Sequence, residues 1–133
     1  MGLLCDLCVI FALSLRTLRL QSFLMSHDTL TKEIIGAAIK VHRKLGPGVL
    51  ESAYESCLAY ELEALGRKVE RQKPVPLFYE LFYEQTKLDC GFRADLVVEG
   101  RIVVELKCKE ALHPVDEAQL LSHLRLLNLR LGF

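Results

Sequence analysis

Charge of one sign is missing from this sequence. Its 17 lysines and arginines balance 17 aspartates and glutamates, for a formal net charge of zero. No overall basic field is available to hold nucleic acid, so any such role must rest on a local patch. No base-reading motif and no aromatic-plus-basic signature of an RNA-binding sheet is present. The five cysteines, at 5, 8, 57, 90 and 108, make an odd count that forms neither a disulfide nor a zinc framework. Cys5-Asp6-Leu7-Cys8 is a C-x-x-C without a second half. A disulfide-stapled secreted scaffold is excluded, and a reducing cytoplasm fits best. Long apolar runs are absent too. The longest uncharged run, Leu7 to Leu15, is too short to span a bilayer, so a membrane protein is not expected.

What is there is enough apolar material for one folded unit. The chain has 133 residues, 51% of them hydrophobic, and its length suits a single domain. Residues 1–24 stand apart from the rest. They lack the basic n-region and small-residue cleavage site of a signal peptide, and Asp6 interrupts their apolar part. Position 6 also lacks the Ser or Thr of a myristoylation site. The favoured reading is a non-native or disordered extension, with Met25 as the true start and residues 25–133 as the domain. The alternative is an amphipathic membrane-surface helix with Arg16 and Arg19 on one side.

From Thr29 a helical period appears. Leu30, Ile34, Ile35, Ala38, Ile39, Val41, His42 and Leu45 form a broad apolar stripe. Asp28 or Thr29 can cap the start, and Gly46-Pro47-Gly48 stops the helix. A second helix is predicted over Leu50 to Leu65, ended by Gly66, with Leu50, Ala53, Tyr54, Cys57, Leu58, Tyr60, Leu62 and Leu65 facing the core. Arg67 to Gln72 reads as an extended lead-in. Pro74 to Tyr79 reads as a strand with its prolines at the edge or beginning. Leu81 to Lys87 reads as irregular, and Phe82-Tyr83 there is a candidate exposed patch or homodimer contact. After the central hairpin, a last helix is predicted over Val115 to Leu127, with Pro114 at its first position. Val115, Ala118, Leu121 and Leu124 are expected inward, with Leu120 and Leu127 as further candidates. Asn128 can end that helix, and Leu129 to Phe133 begins another apolar run.

The strongest strand signal lies between, in Phe92–Val98 and Ile102–Lys107 around Glu99-Gly100-Arg101. Alternation sets the register. A three-residue loop pairs Val98 with Ile102, Leu96 with Val104 and Ala94 with Leu106, and Gly100 supplies the left-handed position such a loop needs. Asp95 then falls opposite Glu105, and Arg93 opposite Lys107. Carboxylates directly opposite repel. A bound Mg²⁺ or Mn²⁺ would relieve that cost, since hard cations are held by one or two carboxylates plus water and phosphate. Lys107 would stand beside the metal. The plainer reading is a solvated polar face with Arg93 and Lys107 as counter-ions, and spacing alone leaves both open.

Asp95-Leu-Val-Val-Glu-Gly-Arg-Ile-Val-Val-Glu105-Leu-Lys107 resembles the central motif of the PD-(D/E)XK nuclease superfamily, an acidic residue followed about ten positions later by E-x-K. Gly48-Val49-Leu50-Glu51-Ser52-Ala53-Tyr54 reads G-x-x-E-x-x-Y, the signature of the GxxExxY family within it. Flanking segments before the second helix and after the hairpin agree, and the resemblance runs from about Leu30 to Phe133. It implies an α/β fold with a restriction-endonuclease-like core: a mixed sheet of about three to four strands flanked by helices, the final strand truncated. It also implies a metal-dependent nuclease acting on DNA or RNA. On that basis Asp95 and Glu105 hold the metal, Lys107 positions water and offsets phosphate charge, and Glu51 adds a carboxylate. Gln119 orients substrate, and Tyr54 orients Glu51. Read locally, Glu51 is also an ordinary first-turn acid favoured by the helix dipole, Tyr54 a core residue and Gln119 a surface glutamine. His42 reads as a buried or half-buried helix residue rather than a ligand; His113 is a candidate ligand or proton carrier, with the plainer reading a loop residue that is neither. Asp116 departs from the histidine that relatives often carry. The competing function is a catalytically inactive nuclease-fold module that binds nucleic acid or a protein partner.

Overall fold

The computed structural model of the chain describes residues 29–81, 84–109 and 111–133. The extension 1–24, the Asp28 cap and the Phe82-Tyr83 patch, with its proposed dimer contact, lie outside the described residues.

Helix α1, Thr29–Leu45, buries Leu30, Ile34, Ala37 and Val41 at helical spacing. Helix α2, Glu51–Ala64, follows it. The α2 C-terminus closes with Arg67 N–H donating to the Leu62 carbonyl at 3.1 Å and Gly66 N–H to that of Glu63 at 2.8 Å, the two bonds of a Schellman ending. The buried face of α2 differs from the expected one. Leu50, Tyr60 and Leu65 are exposed, and Glu55 and Ala59 are buried in their place.

Strands β1 (Val69–Pro74), β4 (Arg93–Val98), β5 (Ile102–Val104) and β6 (Leu131–Gly132) form one sheet in the order β1-β4-β5-β6. The first two pairings are antiparallel, and β6 runs parallel to β5. Strands β2 (Leu77–Leu81) and β3 (Glu84–Leu88) form a separate antiparallel hairpin. The lead-in expected over 67–72 is therefore mostly strand β1. The strand expected through 74–79 splits, because Pro74 and Pro76 offer no N–H to a ladder. Between them Val75 is buried and donates its N–H to Phe92 O at 2.9 Å. Within the stretch expected to be irregular, Leu81 ends β2 and Glu84 to Lys87 belong to β3.

The central hairpin has the expected register, with Leu96 opposite Val104 and Val98 opposite Ile102. Its turn places Gly100 at φ +63°, in the left-handed region that favours glycine. Both faces of β4 and β5 are covered. Leu96, Val98, Ile102, Val104 and Leu106 pack with Leu30, Ile34, Leu58 and Leu62 of α1 and α2. Val97 and Val103 pack on the other side, where Leu120, Leu124 and Leu127 approach. That second layer is helix α3, Pro114–Leu126, with Pro114 in its first turn as expected. The inward face expected for α3 is corrected in part. Val115, Ala118 and Leu121 are exposed, while Asp116 and His123 are buried. Among the described residues no helix is long and apolar enough to cross a membrane.

Candidate active site

The ladder between β4 and β5 stops at Val104. One residue further, Asp95 takes over the backbone's role, its Oδ2 accepting the Leu106 N–H at 2.8 Å. The other oxygen, Oδ1, meets Gln72 Nε2 at 3.3 Å. Gln72 sits on β1 with φ +47°, an uncommon conformation for a residue other than glycine. Its amide also donates to the buried Glu55 Oε2 at 2.6 Å, and Arg71 Nε donates to Glu55 Oε1 at 2.9 Å. A chain of polar contacts thus runs from α2 through β1 to Asp95.

Glu105 is reached from the other layer. His123 Nδ1 lies 2.5 Å from Glu105 Oε1, and Gln119 Nε2 lies 3.4 Å from Oε2. Burial pushes the Glu105 carboxyl up from its ordinary value. The His123 bond opposes that rise, the Asp95 charge adds to it, and Lys107 opposes it. Each carboxylate therefore has one oxygen tied to the fold by a short hydrogen bond and one held by a longer contact.

Glu51 stands in the first turn of α2, where its Oε1 accepts the Cys108 N–H at 2.9 Å. This docks the helix start on the segment just beyond Lys107. Tyr54 is buried; its hydroxyl donates to the Gly46 carbonyl and lies 3.4 Å from His42 Nδ1. It secures the α1–α2 junction, where Gly48 takes φ +83°, a value that favours glycine. The Tyr54 hydroxyl, expected to orient Glu51, is thus anchored at this junction. His42 is half-buried, as expected.

Between the start of α2 and the ends of β1, β4 and β5 lies a cleft of about 1000 Å³. Gly48, Glu51, Tyr54, Gln72, Asp95 and Lys107 line it, together with Glu55 and Lys109. Glu105 lies outside this lining and is bonded toward α3. At the α3 start, Asp116 accepts from His113 N–H at 2.8 Å and pairs with Lys109 Nζ at 2.6 Å. The Lys109 bond, then the His113 bond, hold its carboxyl below the ordinary value.

Five of the expected residues, Gly48, Glu51, Tyr54, Asp95 and Lys107, thus come to one cleft, and Glu105 and Gln119 meet beside it. Among the described residues, no three His, Cys, Asp or Glu side chains are grouped to hold a metal ion. Glu51 therefore does not complete a three-ligand cluster with Asp95 and Glu105. Residues that sequence reasoning passed over are Glu55, Gln72 and His123. Two of them carried a signal. Glu55 is one turn from Glu51, and His123 one turn from Gln119, so each shares a helix face with a residue already singled out. Gln72 carried none, because its role depends on the pairing of β1 with β4.

A mixed sheet flanked by helices, with an acidic residue on β4 and E-x-K just beyond the end of β5 beside a cleft, defines a restriction-endonuclease-like α/β protein. A family model described as the PD-(D/E)XK nuclease superfamily matches residues 28–133, and the chain belongs to that superfamily. No curated protein and no solved structure matches it.

Proposed function

We propose that this chain is a metal-dependent nuclease that hydrolyses phosphodiester bonds in DNA or RNA. We further infer that it is of the GxxExxY type, with Gly48, Glu51 and Tyr54 in the signature positions. The observation that carries the reading is the proximity of Asp95 and Glu105 at the end of the β4–β5 ladder, where the Asp95 charge acts on the Glu105 carboxyl and each has one oxygen only loosely held. Two such oxygens suit a hard cation, which takes one or two carboxylates and completes its shell with water and phosphate.

Asp95 and Glu105 would hold Mg²⁺ or Mn²⁺. Such an ion, when bound, supplies Lewis acidity and a lowered water pKa. Lys107, half-buried in the cleft, offsets the charge of an incoming phosphate and orients water. Glu51 contributes a further carboxylate, which keeps the cleft mouth in register through Cys108. Gln119 orients substrate from the α3 side and steadies Glu105.

The test is a Mn²⁺ titration of the full chain followed by thermal unfolding, with Asp95→Ala and Glu105→Ala alongside, then a cleavage assay on DNA and RNA. Saturable stabilisation in the wild type alone, with cleavage, is the expected result. A folded wild type indifferent to Mn²⁺ would overturn the reading and leave a nucleic-acid-binding or partner-binding module without turnover.

A further inference from the structure

His123 is the most deeply buried polar side chain near the candidate site, at 4% exposure. It comes from the last turn of α3, and Phe92 places its ring 6.4 Å away by centroid. The imidazole lies 2.5 Å through Nδ1 from Glu105, and both side chains are 5% exposed. A carboxylate only accepts, so toward ionised Glu105 the Nδ1 nitrogen carries the proton and donates.

Stability alone does not account for this pair. Burying two ionisable groups costs about as much as their attraction returns, and apolar residues of similar volume often do as well or better. What the pair does supply is orientation. The terminal torsion of a glutamate is broad and roughly two-fold, so an unanchored carboxylate samples many directions. One short bond to a ring locked in the core removes that freedom. Among the described residues, the other oxygen, Oε2, has the 3.4 Å contact from Gln119 and no short bond.

We propose that His123 is a positioning residue for Glu105. Its Nδ1–H holds Oε1 so that Oε2 is presented to a divalent cation shared with Asp95. The inference rests on the metal-dependent reading above. His123 itself touches neither metal nor substrate.

The experiment uses the full chain with three substitutions. His123→Asn places an N–H near the position of Nδ1. His123→Gln moves the donor toward the position of Nε2. His123→Met is apolar, of similar volume, and has no donor. Thermal unfolding without metal establishes that each variant folds, and the Mn²⁺ concentration giving half-maximal stabilisation is the readout. Loss of a group that orients a metal ligand typically costs 10–100-fold in affinity, so the Gln and Met midpoints should rise by roughly that factor, with Asn staying within about 3-fold of wild type. Either donor-displaced variant suffices if the other does not fold.

Unchanged midpoints in Gln and Met, with a responsive wild type, overturn the inference and leave the metal site standing. Equal weakening in Asn, Gln and Met also overturns it, because the donor position would then not matter. A folded wild type with no Mn²⁺ response overturns both the metal reading and this role.

Discussion

Asp95 closes the β4–β5 ladder with its own side chain, accepting the N–H of Leu106 at 2.8 Å. Leu106 is buried, so that N–H has little recourse to water. Asp95→Ala should therefore destabilise the fold by about 1–3 kcal/mol, the cost of stranding a buried donor. Asp95→Asn keeps an acceptor in place and should cost less. Denaturant unfolding measures both, and faster hydrogen exchange at the Leu106 amide in the alanine variant alone would locate the effect. Equal losses would show that the bond contributes nothing to the fold.

Glu55 is a buried acid that receives Arg71 and Gln72. Arg71 is half exposed, and water recovers part of what it loses. Glu55→Ala should still cost about 2 kcal/mol, through the donors left unmatched. Glu55→Gln, which retains one oxygen, should cost less in the same unfolding measurement.

Asp116 predicts an acid-sensitive step. Its carboxyl is depressed in the folded chain, chiefly by the Lys109 bond and then by the His113 bond. The stability it contributes is therefore fully present above the unfolded value of about 3.9 and disappears as pH falls through the folded value. Wild type and Asp116→Asn should differ at pH 7 and converge below pH of about 4. Thermal midpoints across that range provide the check. A gap that persists in acid would refute the assignment.

Gly132 sits where β6 passes under α3. A Cβ there would lie 2.8 Å from Leu120 Cδ1, 3.1 Å from the Val103 carbonyl oxygen and 3.3 Å from Leu124 Cδ2. The leucine tips can move, but the backbone oxygen belongs to the central strand. Gly132→Ala should destabilise by about 1–3 kcal/mol, as overpacking does. A neutral result in urea unfolding would mean that β6 shifts freely.

The sequence by itself determined the hairpin register and most helix ends. Alternation in Phe92–Val98 and Ile102–Lys107 permits one pairing that keeps apolar faces together, and a slip by one residue would reverse every side chain. The facing of Asp95 and Glu105 follows from that register. Gly46, Gly66 and Pro114 mark helix boundaries for reasons that act locally, within a few residues.

Only the tertiary structure decided the rest. Helix α3 carries apolar residues around most of its circumference, so periodicity could not choose a face. The sheet chose it, taking in Asp116 and His123 where bonding partners waited and leaving Val115 and Leu121 in water. The positive φ of Gln72 within β1 and the parallel pairing of β6 depend on neighbours distant in sequence. The partners of Glu105 and Asp95 depend on the same packing. A single buried polar side chain leaves little periodic trace, and its meaning lies in what another element places within about 3 Å of it.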